Sequence, residues 1–331
     1  MSVTILSRIV RCFKLSLPKS VKTGWWLIRI TVPVTFFVFL LDYTGILGQV
    51  AAFLNPFFSI LGLPGESAFI LITSVFANIY SVIAVISTLG LSIREASILA
   101  VMCMIAHGFI IETAVLKKTG SGVVRMLSLR IVASLVTGVL LNLIMPEMIG
   151  QVKSISLTTD SSFMARLLSW AINISRLCFK IIILVSSLLF VQRLMEEFGI
   201  IRGMTRIFSP VMRLFGLPQS TTFSWLVANF VGLAYGSATM IDEVNEKKVS
   251  PVEADLLNHH VALSHSIIED PLLFMAIGLP LHWMIWPRIL IAIAVVWMRR
   301  LELYLRKKYT FPIPAFSQLW IRPKDLRKKG G

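Results

Sequence analysis

Two histidines stand in long apolar surroundings, and each is followed by acids. His107 precedes Glu112 by five residues, and His265 precedes Glu269 and Asp270 by four and five. The reading places the pairs on helices over 93–116 and 251–278, each histidine about a dozen residues in, or near mid-bilayer if the helices cross a membrane. An ionisable group at that depth is costly, about 2.5–3.5 kcal/mol for a central aspartate on insertion scales. Its presence at matched places twice points to proton uptake, ion coupling or metal ligation. On an ideal helix five residues turn about 140°, so His107 and Glu112 are expected on different faces, whereas Glu269 shares the face of His265. The alternative is a pair of packing histidines bonded to a facing serine or backbone carbonyl.

A second set of candidates lies where apolar stretches are interrupted by polar or glycine residues. Asn78-Ile79-Tyr80-Ser81 sits in the middle of 67–89, and Gly232-Leu233-Ala234-Tyr235-Gly236-Ser237 in the middle of 219–240. Backbone that leaves a helix at membrane depth must find partners in protein or in a wet cavity. Asn78, Tyr80, Ser81, Gly232, Tyr235, Gly236 and Ser237 are therefore the expected solute contacts. His107, Glu112, His265, Glu269 and Asp270 are the expected proton- or ion-coupling groups. Helix packing through small residues would explain the glycines equally well.

These candidates recur because the chain repeats itself. Asn55-Pro56 with Gly62-Leu63-Pro64 matches Ser209-Pro210 with Gly216-Leu217-Pro218 at an offset of 154. Downstream the offset is 158: Ser92-Ile93-Arg94-Glu95 matches Ser250-Pro251-Val252-Glu253, His107 falls on His265, Glu112 on Asp270, and Arg130 on Arg288. Each Ser-x-x-Glu is a capping box, so Glu95 and Glu253 read as helix starts rather than catalytic acids. The divisions expected are an amphipathic interfacial helix over 1–22, ended by Pro18; a first repeat over 23–146; a second over 168–302; and a basic tail over 303–331.

Composition sets the solvent. Of 331 residues, 56% are hydrophobic and only 15% charged, well under the roughly 25% charged of soluble domains. Stretches such as Trp25 to Leu41, Leu127 to Met145 and Trp283 to Met298 approach the length needed to span a bilayer. The net charge of +15 sits between apolar spans, which argues against a nucleic-acid partner and for cytoplasmic loops. If 67–89 and 219–240 re-enter rather than cross, the N-terminal basic residues, Lys117, Lys118, Arg125, Arg193, Arg202, Arg206, Arg213, Lys247, Lys248 and the tail share one side. The other side keeps Arg94, Lys153 and Arg166, with Arg288 at a span end. That asymmetry favours inverted repeats, with both termini cytoplasmic in a multi-pass cell (inner) membrane protein. Cys12, Cys103 and Cys178 have neither metal-ligand spacing nor a disulfide framework. No phosphate-binding loop, His-Glu-x-x-His or nucleophile-elbow motif is present, so neither enzymatic activity nor a cofactor is expected, and transport would draw on a gradient or a partner.

The runs Gly62-Leu63-Pro64-Gly65 to Ala106-His107, Glu112-Thr113-Ala114-Val115, and Tyr235-Gly236 to Ser264-His265-Ser266-Ile267-Ile268-Glu269-Asp270 resemble the membrane proteins with a nucleoside-recognition (Gate) domain. The resemblance covers about 23–300. It implies a fold related to concentrative nucleoside transporters, with spore maturation proteins A and B and the membrane part of ferrous iron transport protein B as relatives. Where that iron transporter's hairpin has Gly-Cys-Asn, this chain reads Phe76-Ala77-Asn78, and it has no GTPase domain; both departures argue against ferrous iron. The expected fold is an all-α polytopic bundle of two inverted repeats, each with a broken or re-entrant hairpin. The expected function is gradient-driven transport of a small polar solute, nucleoside or nucleobase first. The alternatives are a divalent metal-ion permease and a non-transporting component acting with a membrane partner, in which a homo-oligomer is also open.

Overall fold

The computed structural model describes residues 5–76, 78–152 and 162–309. The tail beyond 309 lies outside the described residues, and so does most of the expected 303–331 segment. Among the described residues all regular structure is helical apart from a short 3-10 turn at Gln219–Thr221 and one isolated bridge between Ser92 and Gln151. The first half contains α1 (Ile5–Tyr43), α2 (Ile46–Ser59), α3 (Ser67–Phe76), α4 (Ile79–Ile86), α5 (Ile93–Ile105), α6 (Phe109–Lys118) and α7 (Val123–Ile144). The second half answers it with α8 (Phe163–Glu197), α9 (Ile200–Leu214), α10 (Thr222–Phe230), α11 (Leu233–Asn245), α12 (Pro251–Ser264), α13 (Glu269–Met275) and α14 (Leu281–Tyr309). Helices α1, α7, α8 and α14 are long and apolar enough to cross a membrane.

The centre is made by α5 and α12, whose side chains from Ala96 to Ile105 and from Leu256 to Ser264 are all buried. Helix α5 is apolar almost all round past Glu95 and so belongs inside, whereas α12 buries Asn258, His259 and His260 with hydrogen-bond partners. Helix α7 packs along α5, α14 along α12, and α14 also touches α5. Both central helices start at the expected capping boxes, with Ser92 accepting from the Glu95 amide and Ser250 from that of Glu253. The hairpins α3–α4 and α10–α11 flank this centre. They exchange partners across the halves: α4 packs on α13, and its counterpart α11 packs on α6.

Helices α1 and α8, counterparts in the repeat, run antiparallel side by side. Arg8 near the start of α1 pairs with Glu197 at the end of α8 (3.0 Å), and Arg166 near the start of α8 pairs with Asp42 at the end of α1 (2.8 Å).

Three sequence expectations change. No separate 1–22 helix ends at Pro18: α1 continues through Pro18 and Pro33 as one 39-residue helix. Its N-terminal half is held against α8, with Phe13 edge-on to Phe190, and a neighbouring helix can support a proline inside a membrane helix. The helices expected over 93–116 and 251–278 are each broken, after Ile105 and after Ser264. The expected breaks within 67–89 and 219–240 are present, α4 beginning after Asn78 and α11 after Gly232.

Candidate functional site

The breaks at His107 and His265 are built in the same way. Gly108 takes the left-handed region at φ 55° and Ser266 does so at φ 51°, which turns the chain out of α5 and α12. Each histidine folds back on its own helix. His107 Nδ1 donates to the Met104 carbonyl (3.0 Å), and His265 Nδ1 to that of Val261 (2.9 Å). A buried arginine from the following long helix completes each end. Arg130 of α7 donates to the carbonyls of Ile105 (2.8 Å) and His107 (2.6 Å). Arg288 of α14 donates to those of Leu263 (3.1 Å) and His265 (2.6 Å). Both arginines are 0% exposed, and a cation at a helix C-terminus is favourably placed against the unpaired carbonyls.

The two breaks meet. The His107 and His265 rings lie 5.2 Å apart, centroid to centroid. Glu112 in the first turn of α6 reaches both: its Oε1 is 2.8 Å from His107 Nε2 and 3.2 Å from His265 Nε2. Its Oε2 is 2.6 Å from Arg130 Nη2. The expectation that His107 and Glu112 face apart assumed an unbroken helix; the reversal at Gly108 cancels the 140° and brings them together. The helix face expected to be shared by Glu269 and His265 is lost as well, because His265 closes α12 while Glu269 opens α13. Glu269 instead accepts from Tyr80 (3.3 Å) and from Gln192 of α8 (3.1 Å).

Protons are short at this centre. Both Nδ1 atoms are committed as donors to carbonyls, so each neutral ring offers only a lone pair at Nε2. A hydrogen bond between either Nε2 and Glu112 Oε1 then needs one added proton, on a ring or on the carboxyl group. Asp270 is the counterpart of Glu112 and is one methylene shorter. It is buried, makes no ion pair with Arg288 within 4 Å, and its Oδ2 has no partner among the described residues.

The hairpins border the centre. The Gly108 amide donates to the Ser74 carbonyl (2.8 Å), Ser74 Oγ to the Ala106 carbonyl (3.1 Å), and the Ser266 amide to the Ala228 carbonyl (3.3 Å). Of the expected solute contacts, Asn78 caps α4 by accepting from the Ser81 amide (3.0 Å), and Ser81 is fully buried. Gly232 starts α11 at φ 115°. Gly236 allows close packing of α11 on α10, since a Cβ there would stand 2.4 Å from Ala228 Cβ. Ser237 Oγ donates to the Leu233 carbonyl. Tyr235 is 48% exposed, and its hydroxyl accepts from Lys19 (3.1 Å), so it stands outside the histidine cluster.

Sequence reasoning missed three members. Arg130 entered only as a repeat marker, and Arg288 as a repeat marker and a charge at a span end, although a charge kept inside an apolar span in both halves was the available signal. Asn229, buried in α10 with Oδ1 unpartnered among the described residues, had the same signal as Asn78: an amide in an apolar run.

Fold and site together define a multi-pass, all-α membrane protein with a buried polar centre between two similar halves. Comparison with known proteins refines that class. The family described as nucleoside recognition (Gate) matches residues 25–122. The protein named Uncharacterized membrane protein YvoD, from Bacillus subtilis (strain 168), is 30% identical over 291 residues, spanning 86% of this chain and 91% of the relative. The chain belongs to this family of Gate-domain membrane proteins. No solved structure matches it.

Proposed function

We propose that the protein is a gradient-driven transporter of a small polar solute, nucleosides or nucleobases first, in which the His107–Glu112–His265 cluster carries a coupling proton. The observation that carries this reading is the single carboxylate oxygen held between two Nε2 atoms. A hydrogen bond from that oxygen to either ring calls for one proton beyond those of the neutral groups, and the oxygen stands at the meeting point of two chain breaks. The hairpin caps around Asn78 and Gly232, with Asn229, would offer amides and carbonyls to the solute's polar groups. The antiparallel setting of α1 and α8 supports inverted repeats, a usual plan for alternating access about a central site. Basic-residue placement supports cytoplasmic termini.

The test is uptake of labelled uridine and uracil into proteoliposomes, with and without an imposed proton gradient. Wild type should accumulate solute only with the gradient, and Glu112→Gln should abolish accumulation while remaining folded. Uptake indifferent to the gradient, or full gradient dependence in Glu112→Gln, would sink the proton role.

A divalent metal permease is the second reading, because ligand atoms of His107, Glu112 and His265 lie within 4.8 Å of one another. It ranks second because Arg130 already occupies Glu112 Oε2, which would set a dication beside a guanidinium withdrawn from water. Zinc and manganese titrations of purified protein separate the two. Stoichiometric binding lost in His107→Gln favours the metal.

A further inference from the structure

The antiparallel pair α1–α8 exposes four cations half-way along its length. Lys22 and Arg29 on α1, and Arg176 and Lys180 on α8, are all exposed, and none makes an ion pair among the described residues. They share one level. The ends of the pair are pinned by Arg8–Glu197 and Arg166–Asp42, and between them Gly24 lies against Ile182. Positions 26 and 180 are counterparts in the repeat and also neighbours across the pair, as the centre of a two-fold antiparallel pair must be. All four cations fall within four residues of that point, about 6 Å along a helix.

If the pair crosses the membrane centred near positions 26 and 180, rather than on the apolar run Trp25 to Leu41 of α1 alone, these charges sit close to the bilayer centre; the inference rests on that crossing and on the inverted arrangement above. Headgroups are then about 9–15 Å away. That is beyond the reach of a lysine or arginine side chain, so snorkelling does not resolve the placement. Helix α8 is also the least covered of the candidate spans, with 17% of its apolar window buried.

Among the described residues no carboxylate pairs with this patch. The carboxylates nearest the middle of the protein, Glu112, Glu269 and Asp270, are engaged in or beside the central cluster. Exposed acids such as Glu147, Glu196 and Glu246 stand at helix ends and loops. A second copy of this chain, docked face to face, would set cations against cations.

We propose that the outer face of α1–α8 docks a membrane-spanning helix of a different protein, one that carries a carboxylate near its own middle. Trp25 and Phe179, both exposed beside the cations, supply the apolar contact around the charged centre.

The probe is a synthetic Leu/Ala helix of about 24 residues (long enough to span) with two central glutamates, and the same helix with two glutamines. Full-length protein is reconstituted in phosphatidylcholine nanodiscs, and association is read by energy transfer. The glutamate helix should bind at least tenfold more tightly than the glutamine helix, and Lys180→Gln alone should reduce that preference. The variant Lys22→Gln/Arg29→Gln/Arg176→Gln/Lys180→Gln should remove it. Equal binding of the two helices to wild type, or none, overturns the proposal, and this comparison needs no variant to fold. A photo-reactive residue at Phe179 in native membranes should cross-link to an acidic membrane segment of another protein. Adducts only with lipid, or with a second copy, overturn it. A nitroxide on Phe179→Cys reads depth separately: near the bilayer centre it supports the crossing, and at the headgroups the crossing fails and the inference with it.

Discussion

Replacing Arg130 by methionine should destabilise the protein much more than the same change at Arg288. The two arginines close equivalent helices through equivalent carbonyl pairs, so each loss orphans two buried carbonyls, about 1–3 kcal/mol apiece. That cost is common to both. Only Arg130 also pairs with a buried carboxylate, Glu112, at 2.6 Å; no carboxylate lies within 4 Å of Arg288 among the described residues. Stranding a buried charge costs about 3–5 kcal/mol. Arg130→Met should therefore exceed Arg288→Met by about that amount, or roughly 4–7 °C in apparent melting temperature for a chain of this size. Tryptophan fluorescence at a fixed scan rate in one detergent reads the shift. A Glu112→Gln/Arg130→Met double variant should recover most of the difference, because the amide no longer needs a cation. Equal losses at Arg130 and Arg288, or a double variant no more stable than Arg130→Met, would show that the ion pair is not what sets Glu112 in place.

Two other expectations concern packing and topology. Gly236→Val should lower stability by about 1–3 kcal/mol or more through overpacking against Ala228, whereas Gly203→Ala, with open space around it in α9, should be neutral or gain up to about 1 kcal/mol; thermal melts of both variants decide, and equal effects would contradict the close α10–α11 contact. In a background freed of Cys12, Cys103 and Cys178, an impermeant thiol reagent applied to intact cells should label Thr44→Cys and spare Glu246→Cys, both positions being exposed; the opposite pattern would reverse the assigned orientation.

Much of the architecture was legible because membranes impose simple rules. Apolar length, the Ser-x-x-Glu caps, and the 154 and 158 offsets foretold an all-helical membrane chain of two similar halves. Interruption at Asn78 and at Gly232 foretold two broken hairpins, since those residues cap or turn a chain by their local chemistry. His107 and His265, singled out by their repeated placement, come together in the fold. Their partners were not readable. The line from His107 to Glu112 was drawn along an ideal helix, and whether that helix continues is decided at Gly108. The reversal there is held by Arg130, 22 residues further on, which takes the carbonyls left open at the end of α5. The same limit applied to Pro18, whose local tendency to end a helix is overruled by α8 packing alongside. Local rules act through a residue's own backbone and its near neighbours in sequence, and they settled the helical class and the two capping boxes. Which carboxylate lies between which histidines depends on groups brought together from α5, α6, α7 and α12, and only the packed structure could decide it.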